Sequence, residues 1–216
     1  MISLDQALDH LLHRRSYREA FLADRHALLD LAPDDLAALA TLDRAQLVLA
    51  AEGVREDLLQ RSHRGSGGLR ALYPRTIAAW TQAHPEDETL HELLFGFMES
   101  EPFARYHELP FAGQGLCLEE AFHRFAESAS IGDPTAREEE FLTAMVKALL
   151  LSPRPDFSVP AEIRRTPGGF FALGTRGDPA LYAAVQGRLV LGPLTPFLAA
   201  LLEAPEEAAT TAARHG

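Results

Sequence analysis

Ser152-Pro153-Arg154-Pro155, followed by Phe157-Ser158-Val159-Pro160-Ala161-Glu162-Ile163-Arg164, is where the sequence changes its period. Closely spaced prolines resist helix, because each removes a donor and pushes the residue before it to extended backbone. Beyond them Phe157, Val159, Ala161 and Ile163 alternate with polar residues or proline, which predicts a half-buried strand starting near Phe157, with Pro160 favouring a sheet edge. Thr166-Pro167-Gly168-Gly169 reads as a turn and Phe170 to Leu173 as the return strand. Gly177-Asp178-Pro179 makes another turn. Tyr182 to Val185 and Arg188 to Leu191 read as further strands joined at Gln186-Gly187, and Leu194 to Leu202 as a short closing helix.

Upstream of the prolines the period is helical. Ser3-Leu4-Asp5-Gln6 matches a capping box, and Leu4, Ala7, Leu8, Leu11 and Leu12 share one face. Ser16-Tyr17-Arg18-Glu19 repeats the capping signature. Pro33-Asp34-Asp35 opens a third helix with proline in the first turn and acids at its positive end. A fourth runs from about Asp43 to Ser62, with Leu47, Ala51, Val54 and Leu58 on one side. Arg64-Gly65-Ser66-Gly67-Gly68 reads as a flexible linker. Helices resume at Tyr73-Pro74-Arg75, which leads to Trp80, and near Glu86-Asp87-Glu88, with Leu90, Leu94, Phe97 and Met98 along one face. A short turn at Pro102-Phe103, a loop at Pro110 to Gly115, a helix from Leu116 to Ser130 and one opened by Asp133-Pro134 complete the body.

The expected fold is therefore mainly α with a small C-terminal antiparallel β module, an α+β chain. Its parts are an N-terminal helical segment (1–63), a helical body (69–151), a β-hairpin and helix module (156–203) and a disordered tail (204–216).

Composition narrows the function. In 216 residues, 47% are hydrophobic and 24% charged, which is a globular balance and excludes global disorder. The net charge of −11 repels phosphate backbones, so nucleic acid is not an expected partner. No apolar run reaches membrane-span length, and the start lacks a signal-peptide pattern. The single cysteine, Cys117, forms no internal disulfide, and a reducing, cytoplasmic setting is expected.

No catalytic motif is present. His91-Glu92-Leu93-Leu94-Phe95 begins like a zinc-protease helix but has Phe95 where the second histidine belongs. His10 and His13, three apart, lack an obvious third ligand in sequence and read as surface histidines. Cys117 and His123, six apart, lie on different helix faces, which makes Cys117 a buried structural thiol. Glu119-Glu120 and Glu138-Glu139-Glu140 read as solvated helix faces. Arg55, Arg61, Arg64, Arg70 and Arg75 flank the glycine stretch as a candidate basic surface for an acidic partner. Neither a catalytic residue nor a metal ligand is expected on this chain.

Leu72-Tyr73-Pro74-Arg75 leading to Trp80, Leu94-Phe95-Gly96-Phe97-Met98 leading to Pro102-Phe103, the run Leu116 to Phe125 and the final hairpins together resemble the methanobactin biosynthesis protein C family, over about residues 70–203. The resemblance implies a non-catalytic subunit with a helical body and a C-terminal element like those that recognise ribosomally made peptides. It implies two partners, a multinuclear non-heme iron-dependent oxidase that carries the iron and the leader of a precursor peptide whose cysteines that oxidase modifies. On that basis Tyr182, Val185, Arg188, Val190 and Phe197 are the expected peptide contacts, and Tyr73, Arg75 and Trp80 the expected oxidase interface. Residues 4–42 resemble instead the helical segment shared by nitrogen-fixation-type leader peptides and the small subunit of extradiol ring-cleavage dioxygenases. A dioxygenase subunit and a winged-helix-like regulator are the alternative functions.

Overall fold

A computed structural model of the chain describes residues 1–61, 67–107, 116–151, 157–166, 169–174, 180–185, 188–193 and 195. Among these, ten α-helices precede a four-stranded antiparallel sheet of order β1-β2-β3-β4. The expected α+β class holds.

Ser3 closes a full capping box on α1 (Leu4–His13). Its hydroxyl accepts the Gln6 N–H, and the Gln6 side chain accepts the Ser3 N–H. Such a cap stabilises a helix by about 1 kcal/mol. The second capping signature does not form. Helix α2 (Arg15–Leu22) begins two residues earlier, directly after Arg14, with no side-chain cap. With only Arg14 between two helices, Ser16 lies inside the first turn, and its N–H donates to Glu99 from elsewhere in the chain, at 2.9 Å. Helix α3 (Pro33–Leu39) starts at its proline, and α4 (Arg44–Gln60) at Asp43, whose carboxylate accepts the N–H groups of Ala45 and Gln46.

Two hydrophobic clusters result. Ala7, Leu11, Phe21, Leu29, Leu39 and Leu47 form the smaller, N-terminal one. The larger is built around Tyr73, Phe97, Phe122 and Met145. Helix α4 joins them, since Leu47 is buried in the first and Leu59 in the second.

Part of the expected linker is a packed joint. Gly68 is buried, and a Cβ there would lie 2.2 Å from the Leu59 carbonyl oxygen, so only glycine lets α5 (Leu69–Leu72) meet the end of α4. Residues 62–66 lie outside the described residues.

Helix α6 (Pro74–Ala83) begins at its proline as expected. Before α7 (His91–Met98), buried Leu90 adopts φ 60°, and the Asp87 carboxylate accepts the N–H groups of Glu92 and Leu93 and of the Trp80 indole. The acids read at this helix start thus act through Asp87. Helices α8 (Glu101–His107), α9 (Leu118–Ser128) and α10 (Pro134–Leu151) complete the body. Cys117 is buried, as expected, and its sulfur caps α9 by accepting the Glu120 N–H.

The first strand is shorter than its alternation suggests. Strand β1 spans Ile163–Thr166, while the Ile163 N–H bonds the Pro160 carbonyl in a turn. Pro160 has no N–H to give a ladder, so pairing begins only after it. β2 (Gly169–Leu173), β3 (Ala180–Val185) and β4 (Arg188–Pro193) follow, in register Thr166↔Gly169, Ala172↔Tyr182 and Val185↔Arg188. Ile163, Ala172 and Tyr182 are thereby set side by side, and all three are buried in the larger cluster with α10. The expected helix Leu194 to Leu202, apart from Thr195, the loop Pro110 to Gly115 and the tail lie outside the described residues.

Candidate functional site

Two regions carry the chemistry. The first is the outer edge of the sheet. β4 ends the strand order, so alternate residues along it turn their N–H and C=O groups away from β3. Arg188, Val190 and Leu191 are exposed, the last two at 47% and 53%. Such an edge is a template for an added strand.

The residues expected to touch a peptide are divided by this topology. Arg188 and Val190 lie on the edge strand. Tyr182 does not. It belongs to β3, which is paired on both sides, and its ring is buried beside α10, where burial pushes its phenol above the ordinary value. Val185 ends β3 opposite Arg188. Phe197 lies outside the described residues. Leu191, only a strand end by sequence, is an exposed apolar residue that sequence reasoning passes over.

The expected oxidase-interface residues also separate. Tyr73 is fully buried, and its hydroxyl donates to the Glu119 carbonyl at 2.6 Å. Desolvation, with Glu119, Cys117, Glu140 and Glu120 nearby, holds its phenol well above the ordinary range. It is a core residue, with its ring 4.9 Å from that of Phe122. Arg75 is exposed, and its guanidinium bonds Glu139 and the Ala136 carbonyl on α10. Trp80 is half-buried, packed against His84 with the rings tilted by 31°, and tied to Asp87.

The carboxylates read as solvated are mostly buried. Glu119, Glu120, Glu138 and Glu140 are each 9% exposed or less, and only Glu139 of the two runs is half-buried. Glu140 accepts the Arg75 N–H, the Thr76 N–H and the Thr76 hydroxyl, and Glu120 pairs with Arg124. Donors about 65 positions away satisfy Glu140, and Arg124, four residues on, pairs with Glu120.

Nor do the arginines around the glycine stretch form one basic surface. Arg55 is 6% exposed and lies over the Phe95 ring at 4.7 Å, with Arg15 at the same distance. Arg15 also bonds Glu92 on α7. Phe95, the residue that spoils the zinc-protease pattern, is thus the aromatic seat on which N-terminal arginines rest. Arg61 pairs with Asp57, and Arg64 lies outside the described residues.

The second region was missed in the sequence. Asp9 and His13 on α1 meet His107 at the end of α8. The Asp9 Oδ1 atom is 2.8 Å from His107 Nε2 and 3.1 Å from His13 Nδ1, and the two histidine Nε2 atoms are 3.1 Å apart. Met98, Phe103, Ala104 and Arg14 line the same small cleft. Burial pushes the Asp9 carboxyl up, but the His13 hydrogen bond and the positive fields of His107, His13 and His10 outweigh it, so the net shift is downward. His10 turns elsewhere, edge-on to Tyr17. The i,i+4 spacing of Asp9 and His13 was the one local signal, because it puts both on one helix face. The third member stands 94 residues further on.

No protein-family model, curated protein or solved structure matches the chain. No helix among the described residues is long and apolar enough to cross a membrane.

Proposed function

We propose that this chain is the non-catalytic partner of a multinuclear non-heme iron oxidase in a cytoplasmic peptide-modifying assembly, and that the outer edge of β4 receives the leader of a ribosomal precursor peptide. The observation that carries this reading is an edge strand with exposed Val190 and Leu191 and an arginine at its start. Main-chain pairing along β4 supplies affinity, and side-chain contacts supply register. Arg188 offers a charge-assisted contact to an acidic leader. The exposed surfaces of α6, including Arg75, are the part of the expected oxidase interface that faces solvent.

Titration of the labelled precursor leader tests the edge. Leu191→Pro removes one N–H from β4, and Arg188→Ala removes the cation. Both variants are expected to weaken leader binding at least about tenfold, the equivalent of 1.4 kcal/mol, with circular dichroism unchanged. Tyr182→Ala is not a test of binding, because its ring is part of the core. Equal affinity in parent and both variants removes β4 as the docking edge.

A further inference from the structure

We propose that Asp9, His13 and His107 bind one divalent transition-metal ion of the zinc class between α1 and α8, with water completing the coordination. The three donor atoms, one per residue, lie within 4.8 Å of one another. Ligands about 2.0–2.1 Å from a tetrahedral ion are about 3.3 Å apart. Two of the separations here are 2.8 and 3.1 Å and none exceeds 4.8 Å, so small side-chain rotations admit an ion.

The donor set favours that class of metal. Two imidazoles and one carboxylate suit zinc, cobalt or nickel, whereas magnesium and calcium require mainly oxygen ligands. The His13 ring is also oriented from behind. His13 Nδ1 lies 2.9 Å from the Asp9 carbonyl oxygen, and donation of its hydrogen there leaves Nε2 as the ligand atom. Phe103 packs against both rings, with centroids 5.7 Å from His13 and 5.5 Å from His107.

Access is open on one side. The Asp9, His13 and His107 side chains are 33%, 14% and 32% exposed, which leaves room for an ion and its water. One carboxylate and two neutral imidazoles carry a single negative charge, so the filled site is a net cation. That net charge favours an anionic fourth ligand such as hydroxide. The site also spans the two clusters. Leu11 on α1 belongs to the N-terminal one and Phe103 on α8 to the larger. A bound ion therefore ties them together, independently of any peptide-binding role.

Cobalt(II) titration of the full chain, followed by its ligand-field absorption and then by zinc competition, tests the proposal. One cobalt per chain is expected, displaced by one zinc. His13→Ala and His107→Ala should each weaken binding by at least about 10–100-fold, the range seen even for loss of an outer-shell partner. His91→Ala, an exposed histidine on α7, should not. His107→Gln keeps side-chain bulk on α8 and serves if an alanine variant loses its helical circular dichroism. Failure of the parent chain to bind either ion overturns the site. So does binding that persists unchanged in the folded His107 variant.

Discussion

Replacing Phe97 by alanine is expected to cost about 3–5 kcal/mol, the range for truncating a buried aromatic ring. Phe97 is fully buried on α7 and meets Phe103 of α8 and Phe122 and Phe125 of α9, with ring centroids 5.1, 5.2 and 5.5 Å away. The contacts with Phe103 and Phe122 are edge-to-face, at 78° and 85°, the arrangement that adds to simple area burial. Three helices thus share one side chain, and none can close the gap without leaving the others. A domain of this size is stable by about 5–15 kcal/mol, so the loss is a large part of the total. Urea unfolding should show a much lower midpoint with an unchanged slope. Phe97→Leu should lose about 1.5 kcal/mol. An alanine variant within 1 kcal/mol of the parent would mean that α7, α8 and α9 do not share this core.

Glu140→Ala is the second large effect, at about 3 kcal/mol. Helix α6 has no capping side chain of its own, because Tyr73 occupies the cap position. Glu140 reaches across from α10 instead. It accepts the Arg75 N–H at 2.6 Å, the Thr76 N–H at 3.2 Å and the Thr76 hydroxyl at 2.6 Å. The carboxylate is 5% exposed, so water does not replace it easily. Alanine leaves the two Thr76 donors buried and unmatched, and it removes the anion from the positive end of α6. Glutamine keeps one acceptor oxygen and should cost about half as much. A double-mutant cycle with Thr76→Val is the direct measurement, and coupling of about 1 kcal/mol or more is expected. Independent, additive losses would contradict the cap.

The difference between these two residues explains what the sequence discloses. Phe97 was placed correctly by the spacing of Leu90, Leu94, Phe97 and Met98, since burial on one helix face is a local periodic signal. Ser3, Asp43 and Pro74 were legible for the same reason, because a cap or first-turn proline acts within four residues. Glu140 was read as solvated because its donors, Arg75 and Thr76, stand about 65 positions away. Ser16 looked like a cap until Glu99 proved to hold its N–H. Tyr182 is legible as a strand residue, but a strand pattern does not give strand order, and only the order puts β3 inside and β4 outside. At the Asp9, His13 and His107 group, sequence reading pairs His13 with His10 and passes over Asp9 on the same helix face, and no local spacing announces His107 on α8. Function is read least directly. The aromatic segments that suggest an oxidase partner serve largely as core here, with Tyr73, Phe97 and Phe122 all fully buried.

Co-expression of this chain with the multinuclear non-heme iron oxidase encoded nearest to it tests the partner reading most directly. The account predicts that the two proteins co-migrate in size-exclusion chromatography, that iron appears only when the oxidase is present, and that the precursor leader joins the complex in the parent but not with Leu191→Pro. Two folded proteins that elute separately at every concentration tried, with or without the precursor, would contradict it.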